Sequence, residues 1–365
     1  MKARVSRDNL LKGLQTVYPI IPSRSTLPIL SHVLLDAKKD LIQITGTDLE
    51  AGITTNIPAE VSDEGALAIP AKRLHDLLKE LPNESLQLTV KKNQQLTLES
   101  GRGLFKILGL PKEEYPKLPT RGGQDSLVID QQVLQAMLAL TAFSVSKDES
   151  RYALTGILFV GRKGWLRLVS TDGRRMSMVE REARTATPGE YQRIVPEKTV
   201  SELLRLLGEG PTLKISMKDS QAVFELGNTV VISRLIEGKF PNYEQVIPNE
   251  SPHKLKLPKE DFLLAARRIS LWSTQDSPSI RLDLKPDQLI LSKQTPEVGE
   301  AHEQLQATYT GPEFSIGFNP NYLIDVLKTL PDGNVEMELP GPDRPGVIRT
   351  KDHYLYVVLP MQLNS

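Results

Sequence analysis

The sequence contains no cysteine, which excludes disulfides, thiolate catalysis and cysteine metal sites. It also has no excess of charge of either sign, because 45 Lys and Arg residues balance 45 Asp and Glu residues. Any contact with nucleic acid must therefore depend on where individual charges are placed. No apolar run approaches the roughly 20 residues that cross a bilayer, and the charged N-terminus lacks a signal-peptide core. We expect a cytoplasmic protein without membrane contact.

One helical pattern occurs three times in the 365 residues, a length that suits two or three domains. Apolar residues stand at offsets 4, 7, 8 and 11 from Pro70, Pro196 and Asn319, which is one face of an amphipathic helix. These anchors lie 126 and 123 residues apart. A second apolar pattern, with offsets 0, 1, 4 and 7, begins upstream in each repeat, at Leu10, Val133 and Phe262. Each repeat is therefore predicted to contain two amphipathic helices.

Between and after these helices the apolar period falls to two, which is typical of β-strands. Segments rich in Pro, Gly and polar residues, at 117–126 and 246–254, indicate boundaries between the repeats. The sequence thus predicts an α+β protein with three tandem copies of one domain, in which two helices pack on antiparallel β-sheets. The predicted domains are 1–120, 126–247 and 252–365.

Catalytic motifs are missing from the sequence. None of the five histidines (His32, His75, His253, His302 and His353) has the spacing of a zinc ligand. There is no phosphate-binding glycine loop and no nucleophile elbow. Two alternatives stay open: a β-rich hydrolase or nuclease with an unrecognised carboxylate site, and a repeat-built binding protein with no role on DNA. The equal weight of the three repeats favours a protein without enzymatic activity, cofactor or metal.

Several short stretches, in a fixed order, carry a resemblance to a known family. They are TLPIL (26–30), TGTDLE (45–50), SRYALTGILF (150–159), STDGRRM (170–176), LIEGKFPNYEQVIP (235–248), IGFNPNYLIDVL (316–327) and YVVLPMQL (356–363). With them the chain resembles the bacterial DNA polymerase III β subunits, or sliding clamps, over its full length. The resemblance implies DNA-clamp domains that form a ring as a head-to-tail homodimer. Such a processivity factor encircles double-stranded DNA without sequence specificity. It tethers the DNA polymerase III α subunit, the clamp-loader δ subunit and other replication and repair proteins through short linear peptides.

The resemblance also assigns residues that face DNA, namely Arg24, Lys72, Arg73, Arg151 and Tyr152. Arg and Lys neutralise phosphates at any register, which gives the loose, salt-sensitive contact that sliding requires. The alternative is that the basic residues belong to solvated helix faces, since acidic neighbours such as Asp76 and Glu202 make the surface mixed. The chain departs from the family pattern beside Arg151, at Asp148 and Ala153.

By the same resemblance, the end strand of the first domain meets the third domain of another copy. The interface candidates are Arg102, Phe105 and Ile107 against Leu271 and Trp272, with Glu297, Glu300 and Glu303 nearby. Aromatic and aliphatic anchors with a charged rim suit a stable interface. The alternative is that Phe105 and Trp272 belong to the cores of their own domains.

Finally, the resemblance implies a partner-peptide groove between the second and third domains. Its candidates are Leu154, Thr171, Gly173, Arg174, Arg175, Met176, Pro241, Val246, Asn319, Tyr322, Val357, Val358, Leu359, Pro360, Met361, Gln362 and Leu363. An apolar surface of this kind holds hydrophobic side chains of a peptide, and methionine adds adaptability. The alternative is that 357–359 form a last core strand. Gln245, Ser277 and Gln362 depart from the family pattern.

Overall fold

The computed structural model describes residues 1–91, 93–118, 126–185, 190–208, 210–218, 220–296 and 298–363. Within these ranges six α-helices form, two in each third of the chain. Each coincides with an apolar pattern of the sequence, so the prediction of three two-helix repeats is confirmed. The helices are α1 (Arg7–Val17), α2 (Ala71–Glu80), α3 (Gln131–Ala142), α4 (Glu197–Leu206), α5 (Lys259–Ser270) and α6 (Pro320–Thr329). None of the helices in the described ranges is long and apolar enough to span a membrane.

The residues before two of these helices explain where they begin. Ser6 precedes α1, and its Oγ accepts a hydrogen bond from the Asn9 backbone N–H at 3.2 Å. Asn319 precedes α6 and accepts from the Asn321 N–H at 3.0 Å, while Pro320 stands in the first turn, where no N–H is needed. The side-chain oxygen of Asn319, a predicted groove residue, is thus engaged in capping a helix.

Each third of the chain also contributes nine strands within the described residues. In the first third they are β1 (Lys2–Ser6), β2 (His32–Lys38), β3 (Leu41–Thr47), β4 (Ala51–Pro58), β5 (Glu60–Asp63), β6 (Gly65–Pro70), β7 (Ser85–Lys91), β8 (Gln95–Ser100) and β9 (Gly103–Leu108). In the second they are β10 (Leu127–Asp130), β11 (Gly156–Arg162), β12 (Trp165–Thr171), β13 (Arg175–Glu182), β14 (Arg184–Thr185), β15 (Tyr191–Pro196), β16 (Thr212–Lys218), β17 (Gln221–Leu226) and β18 (Thr229–Arg234). In the last they are β19 (Lys254–Pro258), β20 (Ile280–Lys285), β21 (Gln288–Thr295), β22 (Gly299–Gln306), β23 (Thr308–Tyr309), β24 (Phe314–Phe318), β25 (Asn334–Glu338), β26 (Gly346–Thr350) and β27 (Tyr354–Val358).

The strands of each third form one group of five and one group of four, and every described pairing is antiparallel. The five-strand groups have the orders β5-β1-β7-β8-β9, β14-β10-β16-β17-β18 and β23-β19-β25-β26-β27. The four-strand groups have the orders β6-β2-β3-β4, β15-β11-β12-β13 and β24-β20-β21-β22. The short strand before the first helix of each third (β1, β10 and β19) was not predicted from the sequence.

Strand pairing also joins neighbouring thirds. β18 pairs with β4, and β27 pairs with β13, so that each junction unites a five-strand and a four-strand group in one nine-stranded sheet. The chain accordingly forms two compact units. Unit 1 contains the first third with β10, β14 and β16 to β18, and unit 2 contains β11 to β13, β15 and the last third. Because this division splits the central third, it does not test the predicted domain boundaries, which stay a prediction.

The helices bury the apolar faces that the sequence predicts. On α1, Leu10 and Leu14 are fully buried against strands β3 and β4. The close approach depends on Gly13, because a Cβ at this position would lie 2.7 Å from Ile57 Cγ2 and 2.8 Å from Ile44 Cδ1. An interior this dense has no room for one more carbon atom, so glycine is required where helix and sheet meet.

Candidate functional site

An apolar cluster lies on one face of the nine-stranded sheet of unit 2, where β27 meets β13. It consists of Leu154, Leu158, Val160, Val169, Met176, Ile194, Ile236, Phe240, Tyr243, Val347, Leu355 and Val357. Three predicted groove residues, Leu154, Met176 and Val357, belong to it and are 8%, 3% and 4% exposed. They therefore form the floor of a surface, and only their edges reach solvent. The alternative that 357–359 complete a core strand is correct for Val357.

Exposed apolar side chains flank this floor. Val246, just beyond the cluster residue Tyr243, is 58% exposed, and Leu359, two residues after Val357, is 43% exposed. Met361 and Leu363 are half-buried. Apolar side chains exposed beside a continuous apolar floor are typical of a binding surface. We refer to the surface formed by Leu154, Met176, Val246, Val357 and the residues from Leu359 to Leu363 as the unit 2 groove.

The turn between β12 and β13 borders this groove and is held by side-chain hydrogen bonds. Thr171 Oγ1 donates to the Arg175 carbonyl at 2.6 Å and accepts from the Gly173 N–H at 3.0 Å. Asp172 Oδ1 accepts from the N–H groups of Arg174 and Arg175 at 2.9 and 3.0 Å. Gly173 has a φ of +86°, which favours glycine. The turn is therefore rigid, and it carries the exposed side chain of Arg174.

Arg175 is largely occupied by contacts within the chain, and its place in the groove stays a prediction. Its side chain is only 10% exposed, and its guanidinium donates to Asp172 Oδ2 at 3.0 Å, Asp325 Oδ2 at 2.8 Å and the Phe143 carbonyl at 2.5 Å. The guanidinium carbon also lies 4.5 Å from the centre of the Tyr322 ring, a cation–π distance. Arg175 is thus a positioning residue that ties the turn to helix α6.

Val358 is also a groove candidate, and its place there stays a prediction. Successive strand residues point to opposite faces, so Tyr356 and Val358 face away from the cluster that contains Val357. Val358 is fully buried, and the Tyr356 hydroxyl donates to the Tyr322 carbonyl at 2.8 Å. Burial raises the pKa of this hydroxyl well above its ordinary value, so it stays protonated and remains a donor. These residues fix α6 to the sheet beneath the groove.

Two further residues shape the groove and were missed in the sequence. Met361 N–H donates to the Gly317 carbonyl at 2.8 Å, and a Cβ on Gly317 would lie 2.6 Å from Met361 O. Only glycine lets the terminal segment pass so close to β24. Arg167 donates to Glu180 at 2.8 Å and to the Tyr243 hydroxyl at 3.2 Å, and so holds the segment that precedes Val246. The sequence feature that could have indicated this contact is the pair of aromatic residues in FPNY (240–243).

The predicted DNA-facing residues of unit 1 are exposed. Arg24 and Arg73 present their side chains to solvent. Lys72 Nζ donates to Asp76 Oδ2 at 2.8 Å, and this hydrogen bond raises the pKa of Lys72 and lowers that of Asp76. Part of the Lys72 charge is therefore balanced within α2.

The predicted DNA-facing residues of unit 2 lie in the 3₁₀ segment Glu149–Leu154. Tyr152 is 59% exposed. Arg151 lies 3.7 Å from Asp148 and donates to the Asp172 carbonyl at 3.2 Å. Asp148 accepts hydrogen bonds from the hydroxyl and the N–H of Ser150, which lowers the pKa of Asp148 and keeps this neighbour negatively charged. Arg151 therefore offers a phosphate less charge than its exposure suggests.

On the first-domain side of the predicted interface, the exposed apolar residues differ from those predicted. Ile107 is 3% exposed and Phe105, on the same face of β9, is half-buried, so both side chains pack largely within their own domain, and their place at the interface stays a prediction. Leu104 and Leu108, on the opposite face of β9, are 56% and 69% exposed. Arg102 is exposed in the turn before β9. The alternation in LFKIL (104–108) predicts two faces of β9, and the candidates Phe105 and Ile107 lie on the more buried of the two.

The third-domain side is more open. Leu271 is 74% exposed after the end of α5, Trp272 is half-buried and Glu300 is exposed. Glu303 accepts from Arg268 Nε at 2.9 Å within the same chain, so its charge is already paired. Glu297 lies outside the described residues. The described residues contain no group of His, Cys, Asp and Glu that is arranged to hold a metal ion.

Comparison with known proteins identifies the family. Models of the N-terminal, central and C-terminal domains of the DNA polymerase III beta subunit match residues 1–119, 128–242 and 244–362. The beta sliding clamps of Chlamydia muridarum and Pseudomonas aeruginosa are 30% and 33% identical over 367 residues, with 100% of both chains covered.

Solved structures agree with this result. A crystal structure of the DNA polymerase III subunit beta from Pseudomonas aeruginosa matches with a TM-score of 0.95 at 32% identity. A sliding clamp from Bartonella birtlesii bound to griselimycin matches with a TM-score of 0.93 at 33% identity. Each match covers 100% of both chains. The chain therefore belongs to the family of DNA polymerase III beta subunits, the bacterial sliding clamps.

Proposed function

We propose that this chain works in the cytoplasm as a sliding clamp, with domains at 1–120, 126–247 and 252–365. Two copies form a head-to-tail ring that encircles double-stranded DNA and slides without sequence specificity. The unit 2 groove tethers the polymerase α subunit, the clamp-loader δ subunit and other replication and repair proteins through short peptides. The proposal includes no catalytic step and no cofactor.

The observation that carries this proposal is the arrangement of strand groups. Each in-chain junction joins the outer strand of a five-strand group to the outer strand of a four-strand group. One five-strand group ends at β9 and one four-strand group ends at β22, and neither strand has an outer partner among the described residues. Two copies arranged head to tail would pair each β9 with the partner's β22 and complete two further nine-stranded sheets. Because every five-strand group then adjoins a four-strand group, no further copy can be added at these edges and the assembly closes.

The in-chain junctions also predict the register of this pairing. In each junction the joining strand comes from a four-strand group, and its first residue lies opposite Ser233 in one junction and opposite Val358 in the other. Ile107 in β9 corresponds to Ser233 in β18, because the two residues stand at the same distance from the turns of the β8–β9 and β17–β18 hairpins. Ile107 then lies opposite the partner's Gly299, and Lys106 lies opposite the partner's Glu300. Opposite charges at facing positions stabilise a strand pair by roughly 0.2–1 kcal/mol.

Exposed but partly balanced charges support sliding. Arg24 and Arg73 are exposed, while Lys72 is paired with Asp76 and Arg151 lies beside Asp148. A contact with few free cations and no base readout gives weak binding that falls steeply with salt and has no preferred site. Strong phosphate binding would stop a ring from moving.

The test is whether binding depends on the DNA being circular. The full-length protein is loaded onto nicked circular DNA with a bacterial clamp loader and ATP, and bound protein is measured by gel filtration before and after one restriction cut. Encirclement predicts stable retention on the circle and rapid loss after the cut, unless both ends are blocked. An ordinary DNA-binding protein or a nuclease would show no dependence on the blocked ends. Equal retention on open linear DNA would refute the proposal.

A further inference from the structure

The turn that borders the unit 2 groove has a counterpart in unit 1, 124 positions earlier, between β3 and β4. Thr47 Oγ1 donates to the Ala51 carbonyl at 2.7 Å and accepts from the Leu49 N–H at 3.0 Å. Asp48 Oδ1 accepts from the N–H groups of Glu50 and Ala51 at 3.0 and 2.7 Å. These four hydrogen bonds are those of the Thr171 turn, so the backbone that frames the groove occurs twice.

The following strand is attached in the same way in both units. In unit 1 the Arg234 N–H donates to the Glu50 carbonyl at 2.8 Å, and in unit 2 the Leu359 N–H donates to the Arg174 carbonyl at 2.9 Å. Unit 1 therefore repeats both the turn and the strand that leaves the junction beside it. The side chains on this frame decide whether it binds anything.

Leu49 is the first side chain that indicates binding. It has a φ of +79° at the position where unit 2 has Gly173, a conformation that disfavours bulky residues. Its side chain is nevertheless 41% exposed, so burial does not offset the strain. Backbone strain together with an exposed apolar side chain is typical of a functional position.

A cavity of about 190 Å³ lies beside Leu49. It is lined by Gly52, Pro116, Leu118 and Ile232 among others, and it is several times the roughly 30 Å³ that one water occupies in the liquid. Gly52 stands where unit 2 has Met176, and a Cβ on Gly52 would lie 2.4 Å from Leu118 Cδ1. Leu118 thus packs directly on Gly52, in the place that a side chain would take, and the open volume lies beside these two residues.

The rim of this cavity carries more positive than negative charge. Lys117 is exposed and Arg234 is 62% exposed, while the one carboxylate at the rim, Glu50, is 65% exposed and 3.5 Å from Arg234. A pair this exposed is weak and is easily exchanged for a better-placed carboxylate. The surface is therefore complementary to an acidic ligand with a single apolar anchor.

We propose that unit 1 contains a second docking site, formed by Leu49, Gly52, Lys117, Leu118, Ile232 and Arg234. It takes an extended segment of a partner protein in which one aliphatic or aromatic side chain stands beside a carboxylate. The apolar side chain enters the cavity, and the carboxylate replaces Glu50 at Arg234. The inference rests on the proposed function only in so far as the protein binds partner peptides.

The test uses a displayed library of random decapeptides, selected on the full-length protein and on the groove variant Val246→Glu/Leu359→Glu. Both changed positions are exposed, so the fold is preserved. We expect the groove variant still to enrich peptides with Asp or Glu next to Leu, Ile or Phe. In that background Leu49→Gly and Arg234→Glu each lower the affinity for the enriched peptides on the order of tenfold or more. The matched controls Leu27→Gly and Lys79→Glu, at exposed positions elsewhere in unit 1, leave this affinity unchanged.

The outcomes separate this inference from the proposed function. If the unchanged protein enriches peptides and the groove variant enriches none, the second site is overturned and the unit 2 groove stands. If neither enriches peptides, both ideas fail. If Leu49→Gly changes the solution mass, the surface contacts a second copy of the chain and the docking proposal is wrong. Since Leu49→Gly relieves strain, loss of folding cannot explain a loss of binding.

Discussion

The two junctions within the chain and the two free strand edges share one geometry but differ in chemistry. At the β18–β4 junction, Val231 lies opposite Ile53, and both side chains are fully buried. On the free strands β9 and β22, Lys106 and Glu300 are exposed. The in-chain junction thus depends on burial, whereas the open edge strand β9 presents the charged Lys106 between the exposed apolar residues Leu104 and Leu108.

This difference follows from how the strands find each other. Strands of one chain meet at high effective concentration, so apolar burial is sufficient for them. Free edges must avoid wrong partners before the correct one arrives, and charges on an edge prevent pairing with unrelated strands. The comparison therefore indicates that the in-chain junctions provide stability, whereas the edges provide specificity.

The largest expected effect is that of a charge at an in-chain junction. Val231→Asp places a carboxylate without a counter-ion at a fully buried position, which costs roughly 3–5 kcal/mol of the free energy of unfolding. The loss is measured by urea denaturation. Val230→Asp, on the half-exposed neighbouring position, is the matched control and should cost less than about 1 kcal/mol. Equal losses for the two variants would contradict burial as the basis of the junction.

At the free edges a charge change should alter assembly and leave folding intact. Glu300→Lys puts two cations opposite each other in the proposed register, and we expect the dimer dissociation constant to rise roughly tenfold or more. Light scattering on dilution then shows the 40.7 kDa monomer at concentrations where the unchanged protein is dimeric. The double variant Lys106→Glu/Glu300→Lys restores opposite charges and should restore the dimer.

The double variant is the decisive measurement for the register. Both residues are exposed, so their exchange leaves the thermal unfolding of each protomer nearly unchanged. A double variant as weakly associated as Glu300→Lys alone would show that these two positions do not face each other. In that case β9 and the partner's β22 either pair in another register or do not pair.

The helices of this fold could be predicted from sequence, whereas the junctions could not. A helix repeats its apolar residues within a dozen positions, so the pattern around Leu10 and Leu14 is complete in one segment. The β18–β4 junction instead links residues as distant as Thr55 and Thr229, whose hydroxyls lie 2.9 Å apart across 174 positions. No local pattern indicates which strands meet at such a distance.

The groove residues show a similar limit. In YLYVV (354–358) every side chain is apolar or aromatic and every one is buried, so no alternation indicates that Val358 faces away from the groove. Arg175 was assigned to the groove by the family resemblance, yet three acceptors and an aromatic ring hold most of its side chain inside. Residue type predicts exposure only where no buried network provides partners.

The smallest expected effect concerns the segment that leaves the β27–β13 junction and crosses to the four-strand group at Gly317. A Cβ at this position would lie 2.6 Å from Met361 O and 2.9 Å from Leu363 Cδ2, so Gly317→Ala displaces the terminal segment from β24. The displaced residues form one wall of the unit 2 groove. Because β27 itself keeps its partners on both sides, we expect the free energy of unfolding to fall by only about 1 kcal/mol.

In this variant we expect the affinity of the groove for its ligand to fall by a larger factor than the stability of the fold. A suitable probe is a decapeptide that binds the unchanged protein but not the groove variant Val246→Glu/Leu359→Glu, and its affinity measured by calorimetry should fall roughly tenfold as one wall of the groove moves. Gly341→Ala is the matched control, since its Cβ would come no closer than 3.9 Å to another residue, and it should change neither quantity. A Gly317→Ala protein with unchanged affinity and reduced stability would mean that the terminal segment completes the core and does not line the groove. The junction would then end at Val358, and the groove would consist of the β12–β13 turn and the segment around Val246 alone.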